Sequence, residues 1–223
     1  MAHPKSGYRL ANGKKAKGVT TVIGRFKDSG GLIRWAFEQG KACERGEISN
    51  LYDKRDEAGE AGTLAHSMVE AYIEEGEQPD LSIYPENIIL LAKQGFENYL
   101  NWAENNKIVI IHQEMQLVSE AYGFGGCPDG IGTDAQGRTC LLDWKTSSSG
   151  PYVDWLLQLA AYDILWTENN PTELITGGYH LCRFSKESAD FHHHHWSELE
   201  EAKEQFLLLL RAYEIDKHLK KRL

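Results

Sequence analysis

The stretch CLLDWKTSSSG, residues 140–150, finishes an apolar run with an aspartate and a lysine two positions apart. Cys140, Leu141 and Leu142 predict a buried strand. Side chains alternate along a strand, so Asp143 and Lys145 emerge on one face and Trp144 on the other. An acid and a base fixed side by side at a strand end are either a plain ion pair or half of a catalytic site. The residues around them decide which.

Upstream, GGCPDGIG places Asp129 where the preceding strand begins. Thirteen residues lie between Asp129 and Asp143, a spacing that suits a hairpin bringing the two acids together. Glu114, in HQEMQL, lies one strand earlier, with Glu120 as a rival on the same run. Three acids and a lysine at one end of a small sheet match metal-assisted phosphodiester cleavage. Carboxylates suit hard cations such as Mg²⁺ or Mn²⁺, which polarise the phosphate and make hydroxide available. A lysine there orients or deprotonates the attacking water and stabilises developing charge.

Around this centre the pattern alternates. YRLANGKKAKGVTTVIGRF reads as a short hairpin turning at Asn12-Gly13, followed by a β-branched run. GLIRWAFEQGKACERG has the helical spacing of Leu32, Trp35 and Ala36. EAGTLAHSMVEAYIEEG is amphipathic, with Leu64, Met68 and Tyr72 at four-residue intervals and Gly76 as a stop. PENIILLAKQGFENYLNWAENN forms another helix. KIVIIHQEMQLVSE, GFGGCPDGIGTD and GRTCLLDWKTS read as a three-stranded meander. PYVDWLLQLAAYDILWTEN then forms a long helix, ELITGGYHLCRF and ADFHHHHWS two strands, and SELEEAKEQFLLLLRAYEIDKHL a last helix opened by a Ser197–Glu200 capping box. The expectation is one α/β domain with a mixed central sheet flanked by helices. It divides into an N-terminal extension (1–58), a core (59–196) and a C-terminal helix (197–223).

Composition agrees. The 223 residues are 41% hydrophobic and 26% charged, ordinary for a globular protein. No apolar run reaches the roughly 18 residues of a membrane span. The first residues lack the apolar core of a secretory signal, so the expected location is the cytoplasm of a bacterial or phage-infected host cell. Cys43, Cys127, Cys140 and Cys182 contain no C-x-x-C pair and read as reduced thiols. A net charge of −9 excludes a polyanion-coated protein held by its overall field. The first 34 residues nevertheless carry Lys5, Arg9, Lys14, Lys15, Lys17, Arg25, Lys27 and Arg34 against Asp28 alone. Lys14, Lys15 and Lys17 are therefore candidate substrate contacts, with a solvated face as the alternative.

In this order, GTLAHSMVE, GGCPDG, LLDWKTS and QLAAY resemble the signature of the PD-(D/E)XK nuclease superfamily, specifically its RecB-type exonuclease branch. The resemblance covers roughly residues 60–165 and implies a restriction-endonuclease-like core. It makes His66, Asp129, Asp143 and the Trp144 carbonyl ligands for Mg²⁺ or Mn²⁺, Lys145 the catalytic lysine and Glu114 an accessory acid. Gln158 and Tyr162 become substrate-facing. One subgroup carries an iron–sulfur cluster; the cysteine pattern it requires is missing here, so no such cofactor is expected. The implied substrate is DNA, single- or double-stranded, attacked from its ends during replication, repair or recombination. A homo-oligomer or a recombination partner protein fits the same resemblance. The rivals are an endonuclease of the same superfamily and a non-catalytic DNA-binding or assembly module.

The plain readings stand beside these. His66 alone is an ordinary helix histidine, though it shares a face with Glu70, which is placed to orient its ring. Tyr162 serves equally as a core residue. His192–His195 read as a solvated strand, and Trp35, Trp102, Trp155 and Trp166 as core.

Overall fold

The computed structural model describes residues 7–48, 53–147, 149–185 and 190–223, apart from the side chains of Leu32 and residues 53–59. Lys5 and the Leu32 side chain, singled out above, lie outside the described residues. The chain runs β1 (Lys17–Gly18), α1 (Val19–Phe26), α2 (Gly30–Glu44), α3 (Asp53–Ile73), α4 (Glu86–Asn106), β2 (Val109–Gln113), β3 (Leu117–Ser119), β4 (Phe124–Gly126), β5 (Gly130–Thr133), β6 (Thr139–Thr146), α5 (Val153–Asn169), β7 (Gly178–Phe184), β8 (Phe191–Trp196) and α6 (Glu200–Lys220).

Five strands form a mixed sheet in the order β2-β5-β6-β7-β8. Only β6 and β7 are parallel, as required by a crossover through α5. The strand alternation at β6 sorts its residues between two cores. Leu141 faces a cluster with Val19, Val22, Leu159, Tyr162, Leu165, Trp166 and Phe206, from α1, α5 and α6. Cys140, Leu142 and Trp144 face the other, with Leu64, Val69, Ile88, Ala92 and Tyr99 from α3 and α4. The sheet is thus covered by helices on both faces, the architecture expected of a restriction-endonuclease-like core.

Three local expectations are corrected. The β-branched run at 19–26 is helix α1, not a strand. Val19, Val22 and Ile23 are its buried residues, and spacing of three and four lets a helix place all three in the core, where a strand would not. KIVIIHQEMQLVSE and GFGGCPDGIGTD each break in two. The inner halves β2 and β5 pair in the large sheet, while β3 and β4 pair in a second sheet with β1. The Ser197–Glu200 capping box is absent: α6 starts at Glu200, and the Glu198 side chain accepts from the Glu200 amide at 2.9 Å instead.

The histidine run also differs from a solvated strand. His193 is half-buried, its Nε2 2.9 Å from Nδ1 of the buried His180, with the rings stacked. The Trp102 ring closes over His193 at 4.9 Å. Burial, reinforced by the neighbouring histidines, pulls His180 down to about 3 and His193 to about 4. His195 also faces His180, and Asp134 opposes the shift weakly.

Unfolded histidines take up protons near pH 6.5 while these two stay neutral. Their stabilising contribution is therefore complete above about pH 6.5 and lost as pH falls toward 4, by at most about 1.4 kcal/mol per pH unit for each proton. Between pH 7.5 and pH 5 the melting temperature of the wild type should lose ground to that of His193→Gln. Equal slopes in thermal melts of the two proteins would contradict this.

Candidate active site

β6 carries Asp143 and Lys145 on one face, as the alternation requires. Asp143 is fully buried, its Oδ2 held by the Lys145 ammonium and its carboxyl set against that of Asp129. β5 pairs antiparallel with β6 in a register that puts Gly130 opposite Leu142. The next step outward sets Asp129 against Asp143, and Asp129 Oδ2 accepts from the Trp144 amide at 2.7 Å. Burial raises both carboxyls above the usual range, Asp143 to about 7; Lys145 opposes this and each acid's neighbour modifies it.

Glu114 reaches the same place because the hairpin kinks there. Its φ of 48° is left-handed, and its amide donates to the Asp129 carbonyl at 3.3 Å. The break between β2 and β3 thus lies opposite the break between β4 and β5. Glu120, the rival acid, accepts instead from the Ala11 amide at 2.6 Å on the exposed turn after β3.

From the other side, α3 presents Thr63, His66, Ser67 and Glu70, while Leu64, Ala65, Met68 and Val69 bury the opposite face. His66 Nε2 is buried without a hydrogen bond, 3.4 Å from Glu70 Oε1. Burial is the main cause that pulls its pKa down to about 4, so the imidazole is neutral and available as a ligand. Glu70 is pushed up to about 7, first by burial and then by a hydrogen bond with Glu114. The two carboxyls meet across the gap between helix and hairpin.

α5 closes the third side. Gln158 Nε2 donates to the Tyr162 hydroxyl at 2.7 Å, and Tyr162 is buried in the core while still lining the site. Tyr162 is thus a core residue whose edge borders the cavity. The resulting cavity, about 520 Å³, is bounded by His66, Glu70, Glu114, Asp129, Lys145 and Gln158, with the buried Asp143 behind Lys145. Trp144 lines it too, though its indole packs edge-on against Tyr99 in the opposite core. Only its backbone is left to serve the site.

Lys14, Lys15 and Lys17 lie elsewhere. Lys15 and Lys17 line a separate groove of about 400 Å³ with Thr21, Tyr213 and Lys217, which meets the cavity at Thr20. Lys17 is paired with Glu214 at 2.6 Å, and Lys14 is exposed on the turn. Sequence reasoning missed Thr20, because its run reads as a strand. It noted Glu70 only as a partner for His66; the four-residue spacing from His66 was the signal for a larger part.

The donor set suits a divalent cation in chemistry. Carboxylates and a neutral imidazole gathered at one cavity are ligands such an ion takes. Among the described residues, however, no three His, Cys, Asp or Glu side chains already stand in ligating arrangement. Asp143 is turned to Lys145 instead.

One contact fixes α3 against the site. A Cβ on Gly62 would lie 1.7 Å from Thr146 Cγ2 at the end of β6, so the helix rests there on a residue with no side chain. Gly62→Ala should force the two apart, destabilise by about 1–3 kcal/mol and displace His66 one turn on. Thr146→Ala should recover part of the loss in denaturant unfolding. An unchanged midpoint for Gly62→Ala would refute this packing.

No protein-family model matches the chain, and no curated protein does. Among solved structures, it is similar to a protein of Eubacterium rectale described as "Putative exonuclease", at 16% identity and a TM-score of 0.45, over 68% of this chain and 66% of that one. It is also similar to SSO0001, at 16% identity and a TM-score of 0.32, over 66% of this chain and 74% of that one.

Proposed function

We propose that the protein is a metal-dependent deoxyribonuclease of the RecB-type PD-(D/E)XK branch, acting from DNA ends. The observation that carries this reading is the buried Asp143, ion-paired with Lys145 and facing Asp129 across the hairpin, directly behind one cavity lined by Lys145, Asp129, Glu114, Glu70 and His66. The ordered sequence motifs lend it further support.

Asp129, Asp143, His66 and the Trp144 carbonyl would hold Mg²⁺ or Mn²⁺, with Glu114 and its partner Glu70 as accessory acids. A bound cation supplies Lewis-acid polarisation of the phosphodiester and hydroxide at neutral pH. The chain's own residues do the rest. Lys145, released from Asp143, orients the attacking water and offsets the charge that builds on the phosphate oxygens. Glu70 and Glu114 hold a proton that can pass to or from solvent at the cavity wall. Gln158, fixed by Tyr162, offers an amide to the substrate.

Lys145→Ala should lower cleavage by on the order of 10²–10⁴ while binding Mn²⁺ about as the wild type does. Asp143→Asn should abolish cleavage and weaken Mn²⁺ binding in calorimetry. In metal-free buffer it should melt no lower than wild type, since it removes a buried charge crowded by Asp129. Wild-type turnover in Lys145→Ala would overturn the assignment.

End-labelled linear DNA should be degraded with Mg²⁺ or Mn²⁺ while a covalently closed circle survives. Rapid nicking of the circle would make the protein an endonuclease.

A further inference from the structure

Tyr152 precedes α5 and stands one step outside the cavity. Its ring meets the Trp155 ring edge-on, with centroids 4.9 Å apart, and its hydroxyl is hydrogen-bonded to the Ser149 hydroxyl. Trp155 in turn lines the cavity and is 9% exposed. It is held from behind by Gly150, where even a Cβ would fall 2.4 Å from the indole. Tyr152 itself remains 44% exposed and belongs to neither core. Folding thus leaves an aromatic ring pinned at two points, with one side open to solvent.

Its position connects it to the chemistry. Trp155, Gln158 and Tyr162 are spaced by three and four residues, so they share the face of α5 that lines the cavity with Lys145. Tyr152 meets Trp155 at the N-terminal end of this face. Every nucleobase has an apolar face, and a ring whose rotamer is already fixed loses little freedom when a base stacks on it. The surroundings do not suit a backbone phosphate instead. The nearest charge on this helix end is Asp154, already engaged by Lys27 at 3.0 Å.

We propose that Tyr152, backed by Trp155, is the platform on which a base of the DNA strand stacks beside the scissile phosphate. It would hold that nucleotide unpaired from any complement and make a frayed or single-stranded end the substrate. The inference rests on the nuclease reading and deepens it. Tyr152 is a positioning residue for the strand and takes no part in the bond cleavage.

The test uses the full chain and a fluorescent thymidine oligonucleotide, either intact or with an abasic residue at each of the first six positions from either end in turn. Binding is measured without divalent metal and cleavage with Mn²⁺. Tyr152→Leu should bind the intact oligonucleotide about 5- to 100-fold more weakly, and Tyr152→Phe, which keeps the ring, should bind it nearly as wild type does. At one abasic position the wild type should lose a similar factor, and there Tyr152→Leu should lose nothing more. Melting curves confirm that each variant is folded.

Wild-type affinity in folded Tyr152→Leu, losses that multiply at every position, or an oligonucleotide that the wild type does not bind would each overturn the platform. Failure of the nuclease reading shows differently, as a wild type that cleaves no DNA with Mg²⁺ or Mn²⁺ whatever its affinity.

Discussion

Burial of the Asp143 carboxylate is the constraint on which the rest depends. A second buried aspartate shows what a structural acid looks like in this protein. Asp163 on α5 accepts from the Tyr179 hydroxyl at 2.6 Å and the Thr167 hydroxyl at 3.2 Å, and pairs with Lys203 at 2.6 Å. It ties α5, α6 and β7 together with its lone pairs satisfied. Asp143 has only Lys145 to offset its charge and lies against a second buried carboxyl, Asp129. Burying two acids side by side with one cation costs several kcal/mol in the ionised state. The fold bears that cost at one strand end, beside a cavity, which is where stored unfavourable energy goes with function.

The surrounding geometry follows from holding that end in place. The kinked hairpin lets β2 and β5 remain in the large sheet while β3 and β4 turn off into the small one, and the turn-off point delivers Glu114 and Asp129. Close packing keeps the kink fixed. A Cβ on Gly126 would fall 2.7 Å from the Tyr162 ring, and one on Gly125 would fall 2.5 Å from Tyr8. β4 is therefore pressed between α5 and the N-terminal segment. Two walls of the cavity are the helices α3 and α5, which rest on β6 from its opposite faces.

How much of this the sequence discloses depends on the range of the forces involved. β6, α3 and α5 are legible because periodicity is local: LLDWK alternates, and Leu64, Met68 and Gln158–Tyr162 recur at helical spacing. The pairing of Asp129 with Asp143 is legible because a hairpin of that length allows few registers. The identity of α1 is not, since six β-branched or small residues favour a strand until tertiary packing buries Val19, Val22 and Ile23 together. The two strand breaks are hidden for a related reason. Nothing local in HQEMQ requires φ to turn positive at Glu114; the second sheet requires it. The partnership of Glu70 with Glu114 joins residues 44 apart in sequence and comes only from the fold.

Electrostatics then links the site to its proposed chemistry. Glu70, Glu114, Asp129 and Asp143 gather four carboxyls around one cavity, with Lys145 committed to Asp143 and His66 kept neutral by burial. Such a cavity repels a phosphodiester. The basic groove of Lys15, Lys17 and Lys217 shares Thr20 with the cavity and has Glu214 on Lys17, so it lies beside that charge rather than within it. Stacking on Tyr152 draws a strand in without needing a favourable field. The last few ångströms still require positive charge among the carboxyls. A divalent cation held by Asp143 and Asp129 would supply it, and would leave Lys145 free to face the phosphate. On the proposed reading, the pair seen at the end of β6 is the resting form of a site in which metal and lysine compete for one carboxylate.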